Sequence, residues 1–158
     1  MRRIRVYVDT SVFGGTADDE FAAASQRFFQ RVHGGDFIVL VSELTIRELM
    51  KSPTKVQQVL ADLPEGSVEM VPADQEAMAL AKAYLDEGIL TGSSVADALH
   101  VATAVVAGAE LILSWNFKHI VNYDRIRKYN GVNALRGYPS IEIRSPLEMT
   151  YGDEGENV

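Results

Sequence analysis

Four short stretches of this 158-residue chain carry side chains able to do chemistry: Asp9-Thr10-Ser11, Glu48, Asp97 with His100 and Thr103, and Ser114-Trp115-Asn116. Three are acids widely separated in sequence, and acids brought together are costly. Two carboxylates ~5 Å apart repel by ~3 kcal/mol at an effective dielectric near 20. A third makes the site worse, so such a cluster needs protons or a hard divalent cation. The chain has no cysteine, and oxygen ligands without thiolates select Mg2+ or Mn2+ over zinc. A cation on such a cluster can activate water and offset charge on a phosphate under attack.

Each residue also has a plainer reading. Ser94-x-x-Asp97 fits a capping box, which would satisfy the first turn of the following helix. Asp9 can cap a turn through Thr10 and Ser11. Glu48 can be a solvated helix residue, and Asn116 can cap the turn after it. His100, one helical turn after Asp97, reads as a satisfied buried histidine, and Trp115 as packing.

The elements that position these residues follow from hydropathy patterning. Ile4–Val8 alternates as a strand ending at Asp9, and Gly14-Gly15 breaks the chain. Phe21–His33 is an amphipathic helix ended by Gly34-Gly35. Phe37–Val41 is a short apolar run typical of a buried parallel strand. Ser42 caps a helix Glu43–Lys51, stopped by Pro53. A helix Lys55–Leu63, a short strand Val68–Val71 and a helix Gln75–Glu87 capped by Asp74 follow. Residues 90–93 form a polar loop into Ser94–Gly108, a helix apolar nearly all round and therefore buried on most faces. Asp97, His100 and Thr103 make one narrow polar stripe on it. Leu111–Ser114 and Ile141–Ile143 read as strands, Phe117–Val121 as a helical turn, and Tyr123–Tyr129 as a helix ending before Asn130-Gly131.

Strands alternating with helices predict a three-layer α/β/α sandwich with a mainly parallel central sheet. Length and 47% hydrophobic content suit one domain, placed over residues 1–151, with an acidic tail, 152–158, expected to be disordered. In such sheets ligand sites gather outside the carboxyl ends of the strands, where Asp9, Glu48 and Asn116 fall and toward which Asp97 can point.

Val8-Asp9-Thr10-Ser11, Glu48 in TIREL, Asp97 in DALHVATA and Ser114-Trp115-Asn116 in SWNFKHI together resemble the PIN-domain ribonucleases, from about Val6 to Ile143. The resemblance implies metal-dependent hydrolysis of RNA phosphodiesters. It makes Asp9, Glu48 and Asp97 the metal-binding acids, with Asn116 as a further ligand and Ser11 and Ser114 as supporting hydroxyls. Members of this size are often dimeric toxins silenced by a small antitoxin protein. Apolar residues in Ile46–Met50 and Val56–Leu60 add a motive for a homodimer. The family's fourth position is usually Asp, so Asn116 departs from the pattern and weakens the case for a second metal.

Net charge is −7, which argues against a general nucleic-acid coat protein. The stretch 118–144 nevertheless holds Lys118, Arg125, Arg127, Lys128, Arg136 and Arg144 against Asp124 and Glu142. Lys118, His119, Arg125 and Lys128 are accordingly the candidate RNA contacts. Arg5 and Asp9 interrupt any signal-like start, and no segment reaches the roughly 18 apolar residues of a membrane span. A cytoplasmic protein is expected. Two other function classes stand behind the nuclease: a catalytically weak PIN-like domain that binds RNA or a protein, and a nucleotide-binding α/β module. The last ranks lowest, because the chain has neither G-x-G-x-x-G nor a P-loop.

Overall fold

The sheet is built outward from strand β1 (Ile4–Val8), the centre of a five-stranded parallel sheet. The computed structural model describes residues 2–89 and 94–150. The expected loop at 90–93 and the acidic tail lie outside the described residues. Strand β2 (Phe37–Ser42) lies on one side of β1, with Val6 opposite Val39, and β3 (Val68–Val71) lies beyond it. On the other side β4 (Leu111–Leu113) sets Leu113 opposite Val8, and β5 (Glu142–Arg144) forms that edge. The order β3-β2-β1-β4-β5 reverses direction between β1 and β4, which makes that point the crevice for a ligand.

Side-chain alternation along the strands divides the core into two layers. Tyr7, Leu40, Ile112 and Ile143 face one side, where α5 (Gln75–Asp86), α6 (Val95–Val106) and α7 (Tyr123–Leu135) pack. Val6, Val8, Val39, Val41 and Leu113 face the other, against α1 (Thr10–Gly15), α2 (Ala22–His33), α3 (Glu43–Leu49) and α4 (Thr54–Ala61). The expected three-layer sandwich is therefore the architecture of the chain. Among the described residues no helix is long and apolar enough to cross a membrane.

Helix α6 is the buried helix that its composition predicts. Residues Ala98 and His100 to Val105 are all buried, and its alanines let α5 approach closely. Its C-terminal carbonyls are satisfied by Arg5, whose guanidinium donates to Gly108 O at 3.0 Å and Ala107 O at 3.2 Å. Ser42 caps α3 in a reciprocal capping box with Thr45, and Asp74 caps α5 through Ala77 N–H.

The structure departs from the sequence reading in three places. Gly14-Gly15 does not break the chain but lies within and at the end of α1. Gly15 is needed for close approach, since a Cβ there would sit 2.5 Å from Ser25 Oγ and 2.7 Å from Trp115 Nε1. Helix α7 runs through Gly131 to Leu135. Asn130 does not end it, because its side chain bonds the backbone N–H and C=O of Ile141 instead. Phe117–Val121, by contrast, is the expected helical turn, closed by Ile120 and Val121 N–H onto Asn116 O. Finally, the apolar residues of α3 and α4 mostly serve the core. Leu49 and Val56 are buried, Ile46, Val59 and Leu60 pack against them, and Met50 remains exposed.

Candidate metal centre

The end of β1 delivers Asp9 to the crevice. Its backbone N–H donates to Leu113 O at 3.0 Å, and its carbonyl accepts from Val12 N–H as α1 begins. Two hydroxyls then fix the carboxylate: Ser11 Oγ and Ser114 Oγ donate to Oδ2 at 2.7 and 2.8 Å. The same hydroxyls accept from the next strand's loop, Ser11 Oγ from Trp115 N–H and Ser114 Oγ from Asn116 N–H, both at 2.9 Å. Asp9, Ser11 and Ser114 thus form one hydrogen-bonded knot that joins the ends of β1 and β4.

Glu48 enters from α3. Its Oε1 accepts from Thr10 Oγ1 at 2.5 Å and lies 2.8 Å from His100 Nε2. The periodicity of α3 allowed Glu48 to be a solvated residue, but it turns inward and is half-buried. Burial pushes its carboxyl up, yet the His100 and Thr10 hydrogen bonds and the His100 charge outweigh it, leaving the pKa below the ordinary value.

Asp97 enters from the first turn of α6. The capping box suggested by Ser94-x-x-Asp97 is absent: Ser94 makes no side-chain cap bond, and its Oγ lies 3.3 Å from His119 Nε2. Asp97 Oδ1 instead accepts from Asn116 Nδ2 at 3.2 Å. Burial and then the Asp9 charge raise its pKa above the ordinary carboxylate value, with His119 and His100 opposing. Asn116 closes the arrangement by accepting His119 N–H on Oδ1 at 2.9 Å. It caps its turn, as the plainer reading had it, while its amide holds Asp97.

Each of the three carboxylates therefore commits one oxygen to protein donors. Among the described residues Asp9 Oδ1, Glu48 Oε2 and Asp97 Oδ2 accept no hydrogen bond. The set fits a hard cation bound by single oxygens. Ligand atoms of Asp9, Glu48 and His100 lie within 4.8 Å of one another. Asp97 does not join that group, although its charge is felt there.

His100 is the residue that sequence reasoning set aside. It is buried, as expected, but the element that satisfies it is Glu48, with Tyr7 Oη 2.7 Å from Nδ1 on its other side. Its position one turn after Asp97 was the available signal. Of the basic candidates, Lys118 and Lys128 are exposed. Arg125 Nε donates to Lys118 O at 3.1 Å and buttresses the turn, and His119 faces inward toward Ser94 and Asp97. Trp115 is packing: it stacks on Phe21 at 4.2 Å between ring centroids, and Nε1–H donates to Ser25 Oγ at 2.8 Å.

The family model described as PIN domain matches residues 6–120. No curated protein matches the chain. Among solved structures it is similar to VapBC2 from Rickettsia felis bound to a DNA fragment from their promoter. That match has 13% identity and a TM-score of 0.55, covering 90% of this chain and 98% of that one. DNA-bound VapBC from Salmonella typhimurium matches with 16% identity and a TM-score of 0.56 over 90% of this chain and 98% of that chain. Mycobacterium tuberculosis VapC20, described as a Sarcin-Ricin loop cleaving toxin, matches with 16% identity and a TM-score of 0.56, over 72% and 92%. At these identities the likeness is one of fold.

Proposed function

The chain belongs to the PIN domain family, and from that premise we propose that it is an endoribonuclease dependent on Mg2+ or Mn2+. It hydrolyses RNA phosphodiester bonds and acts as the toxin of a toxin–antitoxin pair. The observation that carries the reading is the grouping of Asp9, Glu48 and His100 ligand atoms within 4.8 Å of one another where β1 ends, with Asp97 near enough for the Asp9 and Glu48 charges to raise its pKa. The similar folds of VapBC complexes support a small protein antitoxin.

A cation bound to these acids would lower the pKa of a water and offset charge on the phosphodiester. The chain's own residues do the rest. Ser11 and Ser114 aim Asp9, Thr10 orients Glu48, and Asn116 orients Asp97 while bringing no charge. With a neutral residue at that position the site is proposed to hold one cation, with Asn116 a prop for Asp97 before it is a ligand. Lys118 and Lys128 are proposed to meet the RNA backbone, Arg125 shapes the turn between them, and His119 stays beside Asp97. A homodimer is proposed too, with exposed Met50 at its contact. A monomer in sedimentation at tens of micromolar, roughly where specific interfaces assemble, would remove it.

Incubation of structured and unstructured RNAs with Mg2+, Mn2+ or EDTA tests the nuclease. Endonucleolytic products that vanish with EDTA are expected. Binding without cleavage under every metal condition would favour the weak, RNA- or protein-binding alternative.

A further inference from the structure

Behind Glu48 lies a chain of buried polar groups that the acids do not account for. Ser42 Oγ lies 2.9 Å from Tyr7 Oη, Tyr7 Oη 2.7 Å from His100 Nδ1, and His100 Nε2 2.8 Å from Glu48 Oε1. Four elements, β1, β2, α3 and α6, each contribute one member. Tyr7 is fully buried, His100 nearly so, and Ser42 fully. We propose that His100 is a positioning residue: its Nε2–H holds Glu48 in the direction the cation requires, and Tyr7 with Ser42 fixes the ring from behind. The inference rests on the reading of Asp9, Glu48 and Asp97 as a metal site.

The direction of the hydrogen bonds argues for this role. Ser42 Oγ accepts from Thr45 N–H at 3.4 Å and lies 2.9 Å from Tyr7 Oη, so it can give its proton to Tyr7 or take one on its second lone pair, and the direction is set from the other end of the chain. Tyr7 Oη, with both a proton and lone pairs, fixes Nδ1 in either state of the ring, donating to it when neutral and accepting from it when charged. Nε2 faces Glu48 Oε1 at 2.8 Å and Asp9 Oδ1 at 3.8 Å, and this is what places a proton on it. An ionised carboxylate only accepts, so a bare Nε2 lone pair would set acceptor against acceptor. His100 and Thr10 both reach the same oxygen, Oε1. Together they fix the carboxylate plane and leave Oε2 for the cation. Groups that orient a metal's ligands in this way typically change affinity 10- to 100-fold when removed.

Two measurements on the full chain test the proposal. The first is the imidazole nitrogen spectrum of 15N-labelled protein, with and without Mg2+. The second is Mn2+ affinity by calorimetry for the wild type, His100→Ala, His100→Gln and Tyr7→Phe. Nε2 is expected to keep its proton when Mg2+ is added. His100→Ala should weaken Mn2+ binding by about tenfold. His100→Gln, whose amide can still donate to Glu48, should recover part of the loss, and Tyr7→Phe should show a smaller loss. Loss of the Nε2 proton on adding Mg2+ would make His100 a ligand and overturn the role. Unchanged Mn2+ affinity in His100→Ala and Tyr7→Phe would reduce it to packing. If His100→Ala fails to fold, Tyr7→Phe and the wild-type spectrum decide. A wild type that binds neither cation would bring down the metal site and this inference together, whereas binding that ignores His100 brings down the inference alone.

Discussion

Asn116 Nδ2 donates to Asp97 Oδ1 across 3.2 Å, joining the loop after β4 to the first turn of α6. The same side chain caps its own turn through His119 N–H, so one neutral amide does two jobs at the mouth of the crevice. Asn116→Asp keeps the cap, since Asp accepts as Asn does, but replaces the donor facing Asp97 with a second acceptor. Without metal the variant should be less stable, by about 1 kcal/mol after solvent screening, or about 2–4 °C in melting temperature. On adding Mn2+ its melting temperature should rise further than that of the wild type, because a fourth acid strengthens the cation's hold. Equal Mn2+ shifts in the two proteins would place Asn116 away from the cation.

Asp97 supplies a prediction with a definite sign. Its folded pKa is raised by burial and by Asp9. A carboxyl raised in the fold adds stability below its unfolded pKa, near 4, and that contribution is lost as pH climbs through the folded value. At neutral pH, without metal, ionised Asp97 therefore works against the fold. Asp97→Asn should melt higher than the wild type at pH 7 in EDTA, and the advantage should disappear at about pH 3. The same variant should lose most of the Mn2+ shift and most RNA cleavage. A helix cap would behave otherwise: Asn caps as well as Asp, so neither stability nor metal response would change.

The order of strands and helices was legible because it rests on local patterns, and so were the elements that carry Asp9, Glu48 and Asp97, at the end of β1 and on α3 and α6. What was illegible depends on contacts between distant residues. Gly15 looked like a break because paired glycines usually loosen a chain, whereas here the missing Cβ lets Ser25 and Trp115 close in. Gly131 looked like a stop, but Asn130 is anchored to Ile141 from within the helix. The partnership of Tyr7 and His100 spans 93 residues. Alternation places Tyr7 on the α6 side of the sheet, yet nothing local to either residue marks the other. Ser94 shows the reverse error, a short motif with the right letters whose hydroxyl turns to His119 instead.

Buried tyrosines predict how the fold fails in alkali. Burial pushes the Tyr7 phenol up to about 12, against the Ser42 and Thr45 hydrogen bonds. Burial likewise raises Tyr84 and Tyr129, whose rings meet edge to face at 4.8 Å. A phenol raised in the fold adds stability below its unfolded value, near 10, and loses it as pH rises through the folded one. Phenolate absorbance in the native protein should therefore lag, with these three rings ionising only as the protein unfolds above about pH 10. Circular dichroism followed alongside should lose helix in step with that late ionisation. Full phenolate absorbance while the helices remain intact would show that the three rings are open to water.

The basic stretch gives a prediction in which the structure separates residues of the same charge. Lys118 and Lys128 are exposed. Arg125 is tied through Nε to Lys118 O, so changing it disturbs the turn that carries Asn116 as well as removing charge. Lys118→Ala with Lys128→Ala should lower the slope of log K for single-stranded RNA against log salt by about 1.4, at roughly 0.7 per lost phosphate contact. The melting temperature should stay within about 1 °C of the wild type, as for exposed substitutions generally. Arg125→Ala alone should reduce the slope by no more than one contact but also lower stability, because the Lys118 carbonyl loses its donor. If the double lysine variant keeps the wild-type slope, the positive charge of 118–144 is a solvated face and the RNA backbone crosses the crevice elsewhere.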